Sequence, residues 1–449
     1  MAYDLLIRGG TIVSSKAHGV ADVGIRDGKI AEIGDLSSAS AEAVIEAAGL
    51  HLLPGIIDTQ VHFREPGMEH KEDIESGTRA AILGGVTTVF EMPNTSPPTV
   101  SAEALQDKMQ RAFGQTGTPR AWCNIAFFVG ATTENAGQLA GLEMQPGTPG
   151  VKIFMGSSTG SLLVPDDESL RMVLQSGSRR CPIHAEDSDR LEARKSLLSA
   201  DPHPREHPFL RDPECARIAT ERILAISQET RRPVHILHVS TADEISLIRA
   251  AKMRGLGTTA EVTPQHLFFQ APECYEQLGS LVQMNPPVRD RRHQQALRKA
   301  LQEGVFDVIG SDHAPHTADE KAFPYPGSPS GMPGVQTLVP VMLSFVNEGL
   351  LSLHEFVRMA CEGPAEIYGI QGKGRIESGF DADITIVDLG SKRVVEKRWL
   401  QSKCGWSPFE GMVLQGFPVH VILGGGIAVR EAELVGSPQG SPVEFDWKR

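Results

Sequence analysis

The stretch GIIDTQVHFREPG, residues 55–67, reads as a buried β-strand that ends in a polar loop. Strand side chains alternate between faces, which predicts Asp58, Gln60 and His62 on one side and Ile57, Thr59 and Val61 on the other. A strand built to hold a metal ion carries His-x-His, because two imidazoles two residues apart reach one ion. Gln60 stands where the first of that pair belongs. The stretch is therefore either a metal strand with one altered ligand or no metal strand at all.

Outward from this strand, short apolar runs alternate with amphipathic stretches, the pattern of β/α units around a parallel sheet. Eight strand candidates follow in order: GIIDTQVH, TTVFEMP, AWCNIAFFVG, GVKIFMG, CPIHAED, PVHILHVS, TTAEVTP and FDVIGSDHAPH. Between them, SAEALQDKMQRAF offers Ser101 as a helix cap with Leu105, Met109 and Phe113 on one face. In PECARIATERILAISQ, Cys215, Ala219, Ile223 and Ile226 share a face in the same way. Eight such units predict an α/β fold, a TIM (β/α)8 barrel over residues 54–370. Residues 1–53 and 371–449 instead carry β-like runs broken by Gly and Asp-Gly, as in DLLIRGG, VADVGIRDGKIAEIG and DADITIVDLG. They are expected to form one small β domain from both ends of the chain. The stretch HTADEKAFPYPGSPSGMPG, residues 316–334, is rich in Pro and Gly and predicts a long shaped loop after the eighth strand.

The 449 residues carry 43 basic against 56 acidic side chains, a net charge of −13 that argues against nucleic acid and anionic membrane as partners. An anionic small substrate stays compatible with that charge, since a local cationic pocket can sit on an acidic protein. Six scattered cysteines without a C-x-x-C pair predict reduced, mostly buried thiols. The first residues, MAYDLLIRGG, lack the pattern of a secretory signal, and no apolar run is long enough to span a bilayer. A cytoplasmic location is the expectation.

Chemistry in a TIM barrel sits at the C-terminal ends of the strands. His62 ends the first strand, Lys152 lies in the fourth, His184 ends the fifth, His238 the sixth and Asp312 the eighth. A single histidine beside an apolar strand is more often a hydrogen-bonded core residue than a ligand. Five such groups at the same end of five strands point instead to a shared metal site. Together GIIDTQVHFREPG, EMPNT, VKIFMGSSTG, PIHAED, LHVS, NPPVR and GSDHAPH resemble the amidohydrolase superfamily and, within its cyclic amidohydrolase group, the dihydroorotases. That family interconverts dihydroorotate and N-carbamoyl-L-aspartate in pyrimidine biosynthesis.

The resemblance implies one or two zinc ions per subunit, or another divalent metal. His62 and Asp312 would hold one ion, with Gln60 a doubtful ligand, and His184 and His238 a second. Lys152 would be N-carboxylated by CO2 and bridge them. Asp312 would also be the catalytic proton carrier. Arg64, Asn94 and His316 would clamp the carboxylate of a small anionic pyrimidine, with Asn285, Ser330 and Gly331 as further substrate contacts. The resemblance also implies a homo-oligomer, dimer or tetramer. Two departures stand out: Gln60 itself, and Gln265 in TPQHL, which breaks a histidine pair and leaves His266 without an assigned role. His70, His203, His207, His354 and His420 have no positional argument and are expected to be structural or exposed. Glu186 and Asp187 suit either support of the histidines or a helix start. Competing readings keep the site but change the ring, as in hydantoinases, dihydropyrimidinases and allantoinases. Another reading drops catalysis for a scaffold that supports a partner such as aspartate transcarbamoylase, and Gln60 is its only support.

Overall fold

Eight short parallel strands close into a ring in the computed structural model, which describes residues 2–114, 119–156 and 162–446. They are β1 (Ile56–Val61), β2 (Val86–Glu91), β3 (Asn124–Phe127 and Val129–Gly130), β4 (Val151–Phe154), β5 (Cys181–His184), β6 (Val234–Ile236), β7 (Thr259–Val262) and β8 (Val308–Ile309). Each pairs in parallel with the next, and a bridge from Val61 to His313 joins the eighth strand to the first. This is the (β/α)8 barrel expected from the apolar runs. The stretch AWCNIAFFVG, expected as one strand, is two: its first half pairs with β2 and its second with β4. The motif VKIFMGSSTG is described only as far as Gly156, so its SSTG lies outside the described residues.

The helices follow the predicted faces, with one exception that matters. Helix Ala102–Phe113 starts at Ser101, whose hydroxyl accepts from the Ala104 N–H. Leu105 is buried, but so is Lys108, a charged residue in the middle of the packed face. Its ammonium meets the Glu91 carboxylate at the end of β2 and donates to the Met92 carbonyl. Burial pushes the Glu91 carboxyl up to about 7 and lowers the Lys108 amine, each against the pull of its partner. In helix Pro213–Thr230 the four predicted residues are all buried.

A nine-stranded sheet stands beside the barrel. Five of its strands come from residues 3–54 and four from residues 384–434. The two sets join where His51–Pro54 runs antiparallel to Ile384–Val387. Leu5, Ile7, Val23, Ile25, Leu52, Ile384 and Ile422 share one apolar cluster between them. The hairpin at Asp27-Gly28 takes positive φ at both positions (50° and 74°), which is why Asp-Gly occupies it. Residues 395–411 leave this sheet and return to the barrel, where the Trp406 indole donates to the His316 carbonyl at 2.8 Å. All six cysteines are free, five of them buried. No described helix is long and apolar enough to cross a membrane.

The buried Lys108–Glu91 pair yields a stability prediction. Removing one partner strands the other in the core, so Lys108→Met is expected to lower the unfolding free energy by ~3 kcal/mol. Arg249→Ala, which breaks a half-exposed pair with Glu303, is expected to cost under ~1 kcal/mol. Urea unfolding of both variants checks the contrast.

Candidate active site

The strand exits bring the predicted groups together. Gln60, His62, Lys152, His184, His238 and Asp312 line one cavity of about 20 Å³, with Asn285, Ser330 and Gly331 on the same wall. That is room for a single ion or water. Three site residues leave their strands with left-handed backbone: Arg64 at φ 65°, His238 at 36° and Asp312 at 45°. None is glycine, so the surrounding fold holds each at a cost of ~1 kcal/mol or more. The strict alternation expected of β1 breaks, because its register against β2 shifts between Asp58 and Val61. Both the Gln60 amide and the Thr59 hydroxyl then reach groups around the cavity: Gln60 Nε2 donates to Asp312 Oδ1 at 2.9 Å, and Thr59 Oγ1 donates to Glu261 at 3.2 Å. Glu261 crosses the space left open at Gly310, where a Cβ would meet its carboxylate at 2.2 Å.

The donor chemistry fits a divalent cation. The Asn94 Oδ1 accepts from His62 Nδ1 at 2.7 Å, which leaves the lone pair on Nε2. Burial lowers the proton affinity of His62, so the ring is neutral. Its Nε2 lone pair then faces Asp312 Oδ1 across 3.3 Å, two acceptors with nothing of their own to share. Glu186 fixes the second ring: its carboxylate accepts from His184 Nε2 at 3.0 Å, which leaves the Nδ1 lone pair turned to His238 Nε2 at 3.0 Å. Burial alone would raise the Glu186 carboxyl, but Arg211 and His184 hold it well below its usual range. Among the described residues, Lys152 Nζ, His238 Nδ1 and Gln60 Oε1 are buried without a hydrogen-bond partner. Burial also takes the Lys152 amine down to about 7, against the weaker pull of Asp312 and Glu261. Among the described residues no three His, Cys, Asp or Glu side chains form a ready cage. The donors stand in facing pairs, and two of them are a lysine and a glutamine.

Beside the cavity lies the predicted clamp. Arg64 is buried, donates through Nε to the Pro315 carbonyl at 3.1 Å and lies 3.3 Å from His316 Nε2. Among the described residues no carboxylate stands within ion-pair distance of its guanidinium. Burial lowers it to about 10, so it remains a cation. Burial, followed by Arg64 and Lys71, pushes His316 well below the ordinary histidine range, so that ring is neutral. Lys71 Nζ donates to its Nδ1 at 3.1 Å, and its Nε2 donates to the Ser330 carbonyl at 3.0 Å. The long loop is shaped from inside by Lys321, whose buried side-chain nitrogen donates to the carbonyls of Gln283, Pro329 and Gly331. Gly331, at φ 135°, could carry no Cβ there without meeting the Ala314 carbonyl at 2.4 Å.

The open alternatives are closed by contacts. Glu186 supports His184, whereas Asp187 caps helix Ser188–Arg194. His266 is structural, bonded to Thr263 and to the Pro286 carbonyl. His207, given no role from the sequence, is buried against Asn285. No sequence signal marks it, since its partners Asn285 and Tyr325 lie 78 and 118 residues away. Lys108 does leave a trace, since it falls on the same helix face as Leu105 and Ala112.

Known proteins share both fold and sequence. A family model described as "Amidohydrolase family" matches residues 228–428, and one described as "Dihydro-orotase-like" matches residues 49–148. A dihydroorotase of Methanosarcina acetivorans is 35% identical over 460 residues, covering 99% of this chain and 96% of that protein. One from Halobacterium salinarum is 35% identical over 88% of this chain and 90% of its own length. The chain belongs to the dihydroorotase family of amidohydrolases. Members of the amidohydrolase family are hydrolases that generally depend on metal. Among solved structures, an L-hydantoinase from Arthrobacter aurescens superposes with a TM-score of 0.92 at 28% identity, covering 98% of this chain and 99% of that one. A dihydropyrimidinase from Brevibacillus agri NCHU1002 gives 0.91 at 28% identity over 99% of each chain. The scaffold is thus shared with proteins named for other rings.

The Lys152 amine gives a pH prediction for metal-free protein. Folded, it titrates at about 7; unfolded, near ~10.4. Between those values the unfolded chain binds a proton that the folded chain lacks, so the cost of burying this group shrinks as pH rises. Lys152→Met carries no such cost. With chelator and without CO2, the variant is expected to be the more stable at pH 7, and the gap to close towards pH 10. Urea midpoints across that range test it; a gap independent of pH would count against the shift.

Proposed function

We propose that the protein is a dihydroorotase, hydrolysing the ring amide of dihydroorotate reversibly to N-carbamoyl-L-aspartate. The observation that carries this reading is Arg64, a buried guanidinium without a carboxylate partner among the described residues, set against His316 beside a metal-type cavity. A buried cation is costly until an anion joins it, and a planar fork suits a carboxylate. Dihydroorotate brings that carboxylate; dihydrouracil and hydantoin do not.

His62, His184, His238 and Asp312 would hold one or two zinc ions, with Lys152 as its carbamate between them and Gln60 a weak amide ligand. Bound there, the metal supplies Lewis acidity towards the ring carbonyl and a water made acidic enough to lose its proton near neutrality. The chain's own groups do the rest. Lys152 is neutral enough to attack CO2, losing one proton to become an anionic oxygen donor in place of a repelling ammonium. Asp312 takes the proton of the attacking water and passes it to the departing ring nitrogen. Arg64, Asn94 and His316 hold the carboxylate and so fix which carbonyl meets the water.

The fold shared with hydantoinases favours one second reading, a cyclic amidohydrolase for rings without a carboxylate. A panel of dihydroorotate, dihydrouracil, hydantoin and allantoin separates the two: dihydroorotate is expected to give the highest kcat/KM, and a faster dihydrouracil would reverse the assignment. Arg64→Met is expected to cut kcat/KM for dihydroorotate by ~30-fold or more while changing any turnover of neutral rings little. Lys152→Ala is expected to lose both metal content and activity, with activity partly restored by small carboxylic acids; unchanged metal content would overturn the bridging role.

A further inference from the structure

His207 is buried where three segments meet: its own short helix His207–Leu210, the turn at Met284-Asn285, and Tyr325 in the loop after β8. Its Nε2 lies 3.0 Å from the Met284 carbonyl oxygen and 3.0 Å from the side-chain oxygen of Asn285. Its Nδ1 lies 3.3 Å from the Tyr325 hydroxyl. A backbone carbonyl only accepts, so Nε2 must carry the ring proton. Burial, and after it the Arg211 cation, bring the ring down to about 3, so it holds that one proton and no second. Nδ1 is then the acceptor for Tyr325. The tautomer in turn decides the amide: an atom facing the Nε2–H has to be the Asn285 carbonyl oxygen, and the Asn285 NH2 is turned the other way. Among the described residues that NH2 has no hydrogen-bond partner, and Asn285 lines the cavity with Lys152, His184 and His238.

We propose that His207 is a positioning residue that commits Asn285 to donate, so that the substrate atom bound there is an acceptor, a ring carbonyl oxygen and not a ring N–H. The inference rests on the cyclic-amide reading of the cavity. An asparagine free to rotate would accept as readily as it donates and would tolerate a ring turned over, with N–H and C=O exchanged. Pinned by His207, it sets donor against donor in the wrong orientation, and an unpaired buried donor is what discriminates strongly between similar ligands. His207 thus acts on binding orientation without touching substrate.

The test is a double-mutant cycle on the purified full chain, with dihydroorotate as substrate and thermal melting as a check on folding. Asn285→Ala is expected to lower kcat/KM by ~10–100-fold, mainly through KM. His207→Leu is expected to cost nearly as much, and His207→Gln, whose amide nitrogen can stand where Nε2 stands, to recover most of that loss. In the Asn285→Ala background His207→Leu should cost less than ~3-fold more, because the two act as a unit. Asn285→Asp, which offers an oxygen to an oxygen, should be worse than Asn285→Ala. Losses that multiply in the double variant, or an Asn285→Asp enzyme as active as the parent, overturn the proposal. The Asp comparison stands even if His207→Leu fails to fold. A parent enzyme that prefers another ring over dihydroorotate sinks the substrate reading alone, and the same cycle then runs on the preferred ring.

Discussion

Desolvation at the barrel's C-terminal rim is the constraint on which the rest depends. The groups that line the cavity are buried, and burial is the first cause of each shift: Lys152 down to about 7, Arg64 beside it to about 10, and His62, His184 and His238 towards neutrality. Such groups are stable only with partners, and the fold supplies them selectively. Glu186 is given to His184 and Asn94 to His62. Among the described residues Lys152, the Gln60 carbonyl and the outer nitrogen of His238 have none. Lone pairs and an amine held in this way cost stability, and a cation that accepts lone pairs offsets it.

The backbone enforces this arrangement. Left-handed conformations at Arg64, His238 and Asp312 turn the chain inward just past three different strand ends. Around them, contacts from outside the barrel core hold the turns: Trp406, returning from the small sheet, donates to the His316 carbonyl, and Lys321 ties the Pro329 and Gly331 carbonyls of the loop after β8 to the Gln283 carbonyl. The small β sheet therefore does more than close the chain's ends. Its returning segment packs behind His316.

Much of this was legible in the sequence, for a physical reason. Strand order and the polar group at each strand exit are local properties, written in short apolar runs ending in His, Lys or Asp, and the barrel brings those ends together whatever lies between. What escaped was non-local or irregular. The register shift in β1 sends Thr59 to Glu261 against simple alternation, and periodicity has no way to announce a bulge. Phe128 splits the third strand for the same kind of reason. His207 carries no such mark, because its contacts are to residues more than seventy positions away. Lys108 was read past because a helix face is judged by its apolar majority, although one cation on that face needs a buried anion and so foretells Glu91.

Gln60 sharpens the question of how much a family site can change and still work. Its amide spends the nitrogen on Asp312 and leaves the oxygen unpartnered among the other donors. An imidazole in its place would offer a nitrogen lone pair, a stronger ligand for a metal ion than an amide oxygen. Gln60 offers the weaker ligand together with a hydrogen bond to Asp312. A weaker ligand set would leave a bound cation more electrophilic towards water. The consequence of Gln60 thus falls on the cavity that it shares with His62, Lys152 and Asp312, and the contact of Arg64 with His316 lies outside its reach.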